Sequence, residues 1–136
     1  MVTGFVDRAK GKTAIGTQYQ SQGGAFYSSN QDNITATPSG TQANSFMLAQ
    51  QQNRITTVAT AADGVRLPPA IAGAAVVVTN DAAVNAANVW PSSAAQGGIS
   101  GGDKINALAA NTAFSLTVAA GVTIFYCFSN GTWRTK

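Results

Sequence analysis

The sequence predicts an all-β fold: a short-stranded antiparallel sandwich or jelly-roll-like barrel that follows an extended N-terminal arm. Three observations predict it. Residues 122–129 alternate apolar side chains on two faces and end at a turn, short β-branched segments separated by turn residues extend back to Arg54, and no helical stripe of normal length follows Asn53. We therefore divide the chain into an arm over residues 1–53 and a compact β domain over residues 54–136.

Residues 119–134 carry the strongest pattern, which is that of a β-hairpin. Alternate positions of its first strand are Val122, Ile124, Tyr126 and Phe128 on one face, and Thr123, Phe125, Cys127 and Ser129 on the other. Because both faces carry apolar side chains, we expect this strand to lie in the centre of its sheet. Asn130 and Gly131 tolerate positive φ and predict a type I′ turn, after which residues 132–134 pair back.

The first half of the compact domain predicts strands bounded by turn chemistry. Residues 54–60 are β-branched and predict its first strand, and Asp63-Gly64 predicts a hairpin turn that returns the chain through residues 65–67. Pro68-Pro69 ends that strand, because proline has no N–H to donate to a β-ladder. The consecutive valines within residues 74–79 predict a strand with apolar side chains on both faces.

The second half of the domain continues in short segments. Residues 88–90 predict a brief strand halted by a proline, and the glycine-rich residues 96–103 predict a loop. Residues 105–108 predict either one helical turn or a strand end. Residues 114–118 alternate in polarity and predict a strand that pairs with residues 122–129.

The arm differs in composition from the rest of the chain. It contains eight of the nine glutamines, and its apolar residues form neither a helical stripe nor a long alternation. Large aromatic side chains in such a polar segment have little core to enter, so we expect them to contact another surface. These candidate contact residues are Phe5, Tyr19, Phe26, Tyr27 and Phe46. Residues 44–52 predict a short helix capped by Asn44 or Ser45, and a disordered tail is the alternative for residues 1–24.

Composition argues against several classes of function. Charged residues make up 10% of the chain, against about 25% in typical soluble domains. The net charge is +3, and among the basic residues only Arg8, Lys10 and Lys12 cluster, as expected for a solvated terminus, which argues against dedicated nucleic-acid binding. The chain has no histidine and one cysteine, so zinc sites and Cys-His or Ser-His nucleophile pairs are excluded. Cys127 is predicted to be an inert core residue. We expect no cofactor, no membrane span and no signal peptide, and hence synthesis in the cytoplasm.

The acidic and glycine-rich motifs have structural interpretations. Asp63 and Asp81 fall in predicted turns and Asp103 follows a glycine-rich loop, where aspartates commonly accept backbone hydrogen bonds. A glycosidase pair is therefore disfavoured. Residues 97–104 superficially match a phosphate loop, but the Gly-Lys-Ser/Thr ending and a following helix pattern are missing. Trp90 and Trp133 are predicted to pack at sheet ends.

A series of short motifs runs through residues 55–133: Asp63-Gly64-Val65-Arg66-Leu67-Pro68, Gly73 with a valine strand and Asn80, Asn88-Val89-Trp90-Pro91, Ile105-Asn106-Ala107-Leu108, Phe114, Phe125-Tyr126-Cys127 and Gly131-Thr132-Trp133. Together they resemble the β module of tailed-bacteriophage virion structural proteins, and are most similar to head decoration (cement) proteins. The resemblance implies an adhesive role on the capsid surface, with the major capsid protein as partner, no active site, and synthesis in the host cytoplasm.

Three hypotheses follow. The first is a cement protein that forms a homotrimer, because low charge, an uncovered valine-rich sheet and a long arm describe a subunit completed by its neighbours. In it, the five aromatic residues of the arm contact the capsid or another subunit, while a chain starting at Arg54 still folds. The second is a tail-fibre or other appendage module that binds a receptor or anchors to the virion. The third, an enzyme such as a depolymerase, is disfavoured by the missing His and Glu.

Overall fold

The computed structural model describes residues 28–118 and 122–136. Within them it contains ten strands: β1 (Asn30–Thr35), β2 (Phe46–Met47), β3 (Gln52–Thr57), β4 (Gly64–Arg66), β5 (Ala75–Asn80), β6 (Ala87–Trp90), β7 (Lys104–Ile105), β8 (Phe114–Leu116), β9 (Val122–Ser129) and β10 (Thr132–Thr135). A 3₁₀ turn at Ala94–Gln96 lies between β6 and β7, and the described residues contain no α-helix. The predicted all-β class is confirmed.

The strands form two mixed sheets. The six-stranded sheet has the order β1-β3-β5-β9-β10-β7, and the four-stranded sheet has the order β2-β4-β6-β8. Consecutive strands from β1 to β6 alternate between the sheets, so β1, β3 and β5 stack in parallel, as do β2, β4 and β6. β9 and β8 then pair antiparallel with β5 and β6. The result is a short solenoid-like arrangement rather than the purely antiparallel one that was predicted.

The hairpin predicted at Asp63-Gly64 is wrong, because β3 and β4 belong to different sheets. The Asp63 carboxylate accepts hydrogen bonds from the backbone N–H groups of Ala59 and Thr60, at 2.8 and 3.1 Å, and from the Thr60 hydroxyl at 2.7 Å. These bonds turn the chain through a corner toward the second sheet. The backbone of Gly64 does not have positive φ, so it does not form the expected type I′ turn.

The hairpin predicted at the C-terminal end is confirmed, with β9 inside the six-stranded sheet between β5 and β10. Its turn differs from type I′, since Gly131 has a φ of 84° while Asn130 does not have positive φ. The register shifts after Thr132, as in a turn followed by a glycine bulge. A Cβ atom at Gly131 would also collide with the Ile99 side chain. The pairing predicted between residues 114–118 and β9 is wrong, because β8 pairs with β6.

Residues 28–53 contribute strands to both sheets. β1 pairs with β3, and Ile34, Ala36 and Leu48 are buried in the core. The predicted boundary between Asn53 and Arg54 falls inside β3. The helix predicted over residues 44–52 is wrong, because the backbone of β2 pairs with β4 instead.

The remaining segments match the expectations more closely. β5 and β6 occupy the two predicted strands, the glycine-rich segment is a loop, and β7 ends in a turn, so the strand-end alternative for residues 105–108 is confirmed.

The inner faces of both sheets form one core, whose largest fully buried side chains include Trp133, Phe125, Leu48, Ile55, Leu67 and Ile105. Phe114 of β8 meets Phe125 of β9 edge to face, with ring centroids 5.6 Å apart.

Candidate interaction surface

β9 presents one buried face and one exposed face. Phe125 and Cys127 point into the core and are at most 2% exposed. On the opposite face, Val122, Ile124 and Phe128 are 58%, 39% and 81% exposed. This alternation follows from the period of two in a strand, and the exposed side carries side chains that normally lie inside a protein.

Neighbouring strands extend this exposed face. Cα partners across the β5–β9 ladder place Ala75 beside Tyr126 and Val77 beside Ile124, and partners in a ladder share one side of the sheet. Ala75 is exposed and Val77 is half-buried. We call this surface the outer face and define it by Ala75, Val77, Val122, Ile124, Tyr126 and Phe128. The Tyr126 and Phe128 rings meet edge to face with centroids 5.1 Å apart.

Charged residues flank the outer face on both sides. On the β10 side, Arg134 is the Cα partner of Tyr126, and Lys136 exchanges two backbone hydrogen bonds with Ile124. On the β3 side, the Arg54 guanidinium lies between Asp32 at 3.0 Å and Asp81 at 2.7 Å. The outer face is thus an apolar stripe with cationic residues along one margin and an ion cluster of one arginine and two aspartates along the other.

The ion cluster shifts the pKa values of its members. The pKa of Asp32 is lowered, first by the hydrogen bond from the backbone N–H of Asn33 and then by Arg54. The pKa of Arg54 is raised, first by Asp81 and then by Asp32. Both shifts favour the charged forms at neutral pH, although ion pairs exposed to solvent stabilise a fold little.

A groove of about 260 Å³ adjoins the outer face beside this cluster. Most of its polar lining residues come from β1 and β3, and Val77, Thr79 and Val122 line it from β5 and β9. The lining residues are Asn30, Gln31, Asp32, Gln52, Asn53, Arg54, Val77, Thr79 and Val122. Side-chain amides, a carboxylate and a guanidinium next to valine side chains can bind a ligand with both polar and apolar parts.

Of the five predicted contact residues, Phe46 is the one that lies within the described residues. Phe46 lies on β2 in the four-stranded sheet and is 38% exposed. Phe5, Tyr19, Phe26 and Tyr27 lie outside the described residues, so their predicted contacts stay predictions. Sequence reasoning recognised the apolar alternation of β9 but could not identify which face the sheet leaves uncovered.

The buried carboxylates serve the backbone. Asp103 accepts hydrogen bonds from the N–H groups of Ala70 at 2.7 Å and Ile99 at 2.9 Å, which ties two loops to the start of β7. The pKa of Asp63 is lowered, chiefly by the hydrogen bond that its carboxylate accepts from the Thr60 hydroxyl. Both aspartates thus have the backbone role that the sequence predicted, and no group of three metal-ligating side chains occurs in the described part of the chain.

Cys127 and the tryptophans are parts of the fold. Burial raises the pKa of the Cys127 thiol, whose Sγ lies 3.0 Å from the Ser129 carbonyl oxygen. Trp133 is fully buried, as predicted for packing, while half-buried Trp90 donates its indole N–H to the Gly40 carbonyl oxygen at 2.9 Å.

Comparisons with protein-family models, with curated proteins and with solved structures found no match. Among the described residues, no helix is long and apolar enough to cross a membrane.

Proposed function

We propose that this protein is a non-enzymatic structural component of a tailed-bacteriophage virion that decorates the capsid surface as a cement protein. The proposal combines the motif resemblance of residues 55–133 with the outer face. Its partner is the major capsid protein, and its subunits form a homotrimer.

The observation that carries the proposal is the outer face. Phe128 is 81% exposed at one end of the stripe, and Val122 and Ile124 continue it along β9. Contiguous apolar surface of this kind is typical of a protein that binds another protein. A fully buried apolar side chain contributes about 1.5–3 kcal/mol, so two or three such contacts per subunit suffice for binding once a trimer multiplies them through effective concentration.

The test is binding of the purified protein to undecorated capsids. Replacing Phe128 with Ser should weaken binding by about 10- to 100-fold, because about 1.4 kcal/mol corresponds to a factor of ten. Ile124→Ser should act in the same direction. The matched control is Val84→Ser, which changes a 74% exposed valine in the loop after β5 and should leave binding unchanged.

Two further measurements belong to this test. Equal urea midpoints for the Phe128 and Val84 variants would show that binding, not folding, is affected, and raised salt should change capsid affinity little because the contact is apolar. Unchanged affinity of the Phe128 variant, or release of the native protein by salt, would contradict the role of the outer face. Sedimentation should show a trimer. A folded monomer both in solution and on the particle would contradict the proposed homotrimer.

A second candidate is an appendage module that binds a receptor, and the groove favours it. Its amide, carboxylate and guanidinium groups beside Val77 and Val122 could recognise a polar host-surface ligand. The number of copies per virion separates the two functions. The resemblance to cement proteins implies many copies per particle, whereas an appendage module is expected in far fewer.

A further inference from the structure

The four-stranded sheet carries an arginine that differs from the other cationic residues of the described chain. Arg66 of β4 is half-buried, whereas the others are exposed. Its chain neighbours Val65 and Leu67 are fully buried in the core, so Arg66 points to the solvent side of this sheet. Met47 and Trp90 are its Cα partners on the adjacent strands and lie on the same side.

Residues 40–42 are fixed beside this arginine. The side-chain amide of Gln42 donates to the Pro91 carbonyl at 2.8 Å and to Oδ1 of Asn111 at 2.9 Å. The Gln42 carbonyl accepts a hydrogen bond from Nε2 of Gln96 at 2.7 Å. These contacts use the amide groups of Gln42 and Gln96 to hold the backbone, and they leave the guanidinium as the available donor at this place.

The Arg66 guanidinium is poorly satisfied by hydrogen bonds. Its Nη1 lies 3.5 Å from the Gln42 carbonyl oxygen, which is long for a hydrogen bond. Its Nε is buried and has no acceptor among the described residues. Removing a charged group from water costs free energy unless the group is paired and hydrogen-bonded. Arg54, by contrast, is exposed and yet lies between two aspartates.

The carboxylates of the described residues are engaged elsewhere. Asp63 and Asp103 accept hydrogen bonds from backbone N–H groups, and the two aspartates of the ion cluster bind Arg54. The described part of the chain contains no other acidic side chain and no ion pair with Arg66. This part of the chain therefore supplies no counter-ion for Arg66.

We propose that Arg66 is the centre of a binding site for a carboxylate that is carried on an apolar group. A planar guanidinium and a planar carboxylate can form two parallel hydrogen bonds. A monocarboxylate neutralises a single cation, whereas a phosphate group would bring a charge of about −1.5 to −2. Met47 is 39% exposed beside Arg66 and offers apolar surface to the rest of the ligand. The site belongs to the sheet opposite the outer face, and the inference does not depend on the virion role.

Equilibrium dialysis of radiolabelled benzoate against the full-length protein tests the site, with chloride keeping the ionic strength constant. The native chain should bind benzoate saturably. Arg66→Lys keeps the positive charge but lacks the planar fork, so its binding should be weaker by about 10-fold or more, as for the loss of one hydrogen bond to a charged group. The matched control Arg54→Lys should leave binding unchanged. Absence of saturable binding, or equal binding by Arg66→Lys, would overturn the proposal.

Competition experiments identify where the carboxylate comes from. A blocked peptide with a single glutamate that displaces benzoate more effectively than acetate would support a side chain of a partner protein, and a peptide no better than acetate would support a small organic acid. Asp7 is the one acidic residue outside the described residues. Stronger benzoate binding by Asp7→Asn would mean that the chain provides its own carboxylate, and would overturn the proposal.

Urea unfolding separates a binding role from a structural one. Methionine retains an unbranched apolar stem at position 66 and removes the charge. Because a partly buried cation without a counter-ion does not stabilise a fold, Arg66→Met should have a urea midpoint equal to or above that of the native chain. The same variant should lose benzoate binding. A lower midpoint would show that Arg66 serves the fold, and would contradict its assignment as a binding residue.

Discussion

The edge-to-face contact between Phe114 and Phe125 should contribute a coupling free energy between the two sheets. The rings are 5.6 Å apart at an interplanar angle of 86°, and they come from β8 in the four-stranded sheet and β9 in the six-stranded sheet. Phe125 is fully buried and Phe114 packs against the same core. Replacing each with leucine, singly and together, measures how strongly the two rings depend on each other.

The magnitude follows from the geometry. Removing a buried ring entirely, as in Phe125→Ala, costs about 3–5 kcal/mol, which could unfold a domain with a total stability of about 5–15 kcal/mol. Leucine keeps most of the apolar volume and removes the aromatic contact. We therefore expect a coupling free energy of about 0.5–1.5 kcal/mol between positions 114 and 125.

Urea unfolding of the four proteins gives this coupling, with tryptophan fluorescence as the signal because Trp133 is fully buried. The control is the second edge-to-face pair, Tyr126 and Phe128, whose centroids are 5.1 Å apart but in which Phe128 is 81% exposed. Coupling below about 0.3 kcal/mol at positions 114 and 125 is the level found for independent sites and would refute the reasoning. Equal coupling in the exposed pair would refute the role of burial.

Three further predictions concern truncation, acid and thiol chemistry. A chain starting at Arg54 loses β1, β2 and part of β3, so circular dichroism should show it unfolded, whereas a chain starting at Ser28 keeps all the described strands and should fold. A native-like spectrum from the chain that starts at Arg54 would contradict this prediction. The lowered pKa of Asp63 means that its stabilisation is fully present above about pH 3.9, the unfolded value, and is lost as pH falls through the folded value. Asp63→Asn should therefore flatten the acid side of the stability curve, and an unchanged acid transition would argue against it. Cys127 should react slowly with a thiol reagent in the native protein and rapidly in denaturant, because burial raises its pKa, and rapid native labelling would show that the thiol is accessible.

The strongest local signal in the sequence predicted local structure correctly. The β9–β10 hairpin was predictable because alternation and an adjacent turn lie within one short stretch. The Asp63-Gly64 motif has the same turn residues, but the Asp63 carboxylate is saturated by Ala59 and Thr60, and the chain turns a corner there. Turn residues alone therefore do not determine whether two strands pair with each other.

Long-range pairing was not predictable from the same signals. Parallel partners such as Asn30 and Gln52 are 22 residues apart, and no local feature records that spacing. The sequence around Phe46 and Met47 predicted a helix, since their pairing partner β4 lies well downstream and no local feature indicates it. The outer face was predictable as an apolar alternation in β9, but its exposure depends on the side of the sheet that faces the core.

The alternation of strands between the two sheets also constrains the order of folding. Among the described strands, β9 and β10 form the pair joined by a tight turn, while aligned residues in every other pair are at least 19 positions apart. Such distant pairings slow folding, because each requires a long loop to close first. β9 lies in the middle of the six-stranded sheet yet follows β1 to β8 along the chain. During synthesis, the valine-rich edge of β5 therefore stays unpaired until β9 has left the ribosome, and a nascent chain that pauses before Val122 exposes an edge on which other chains can aggregate.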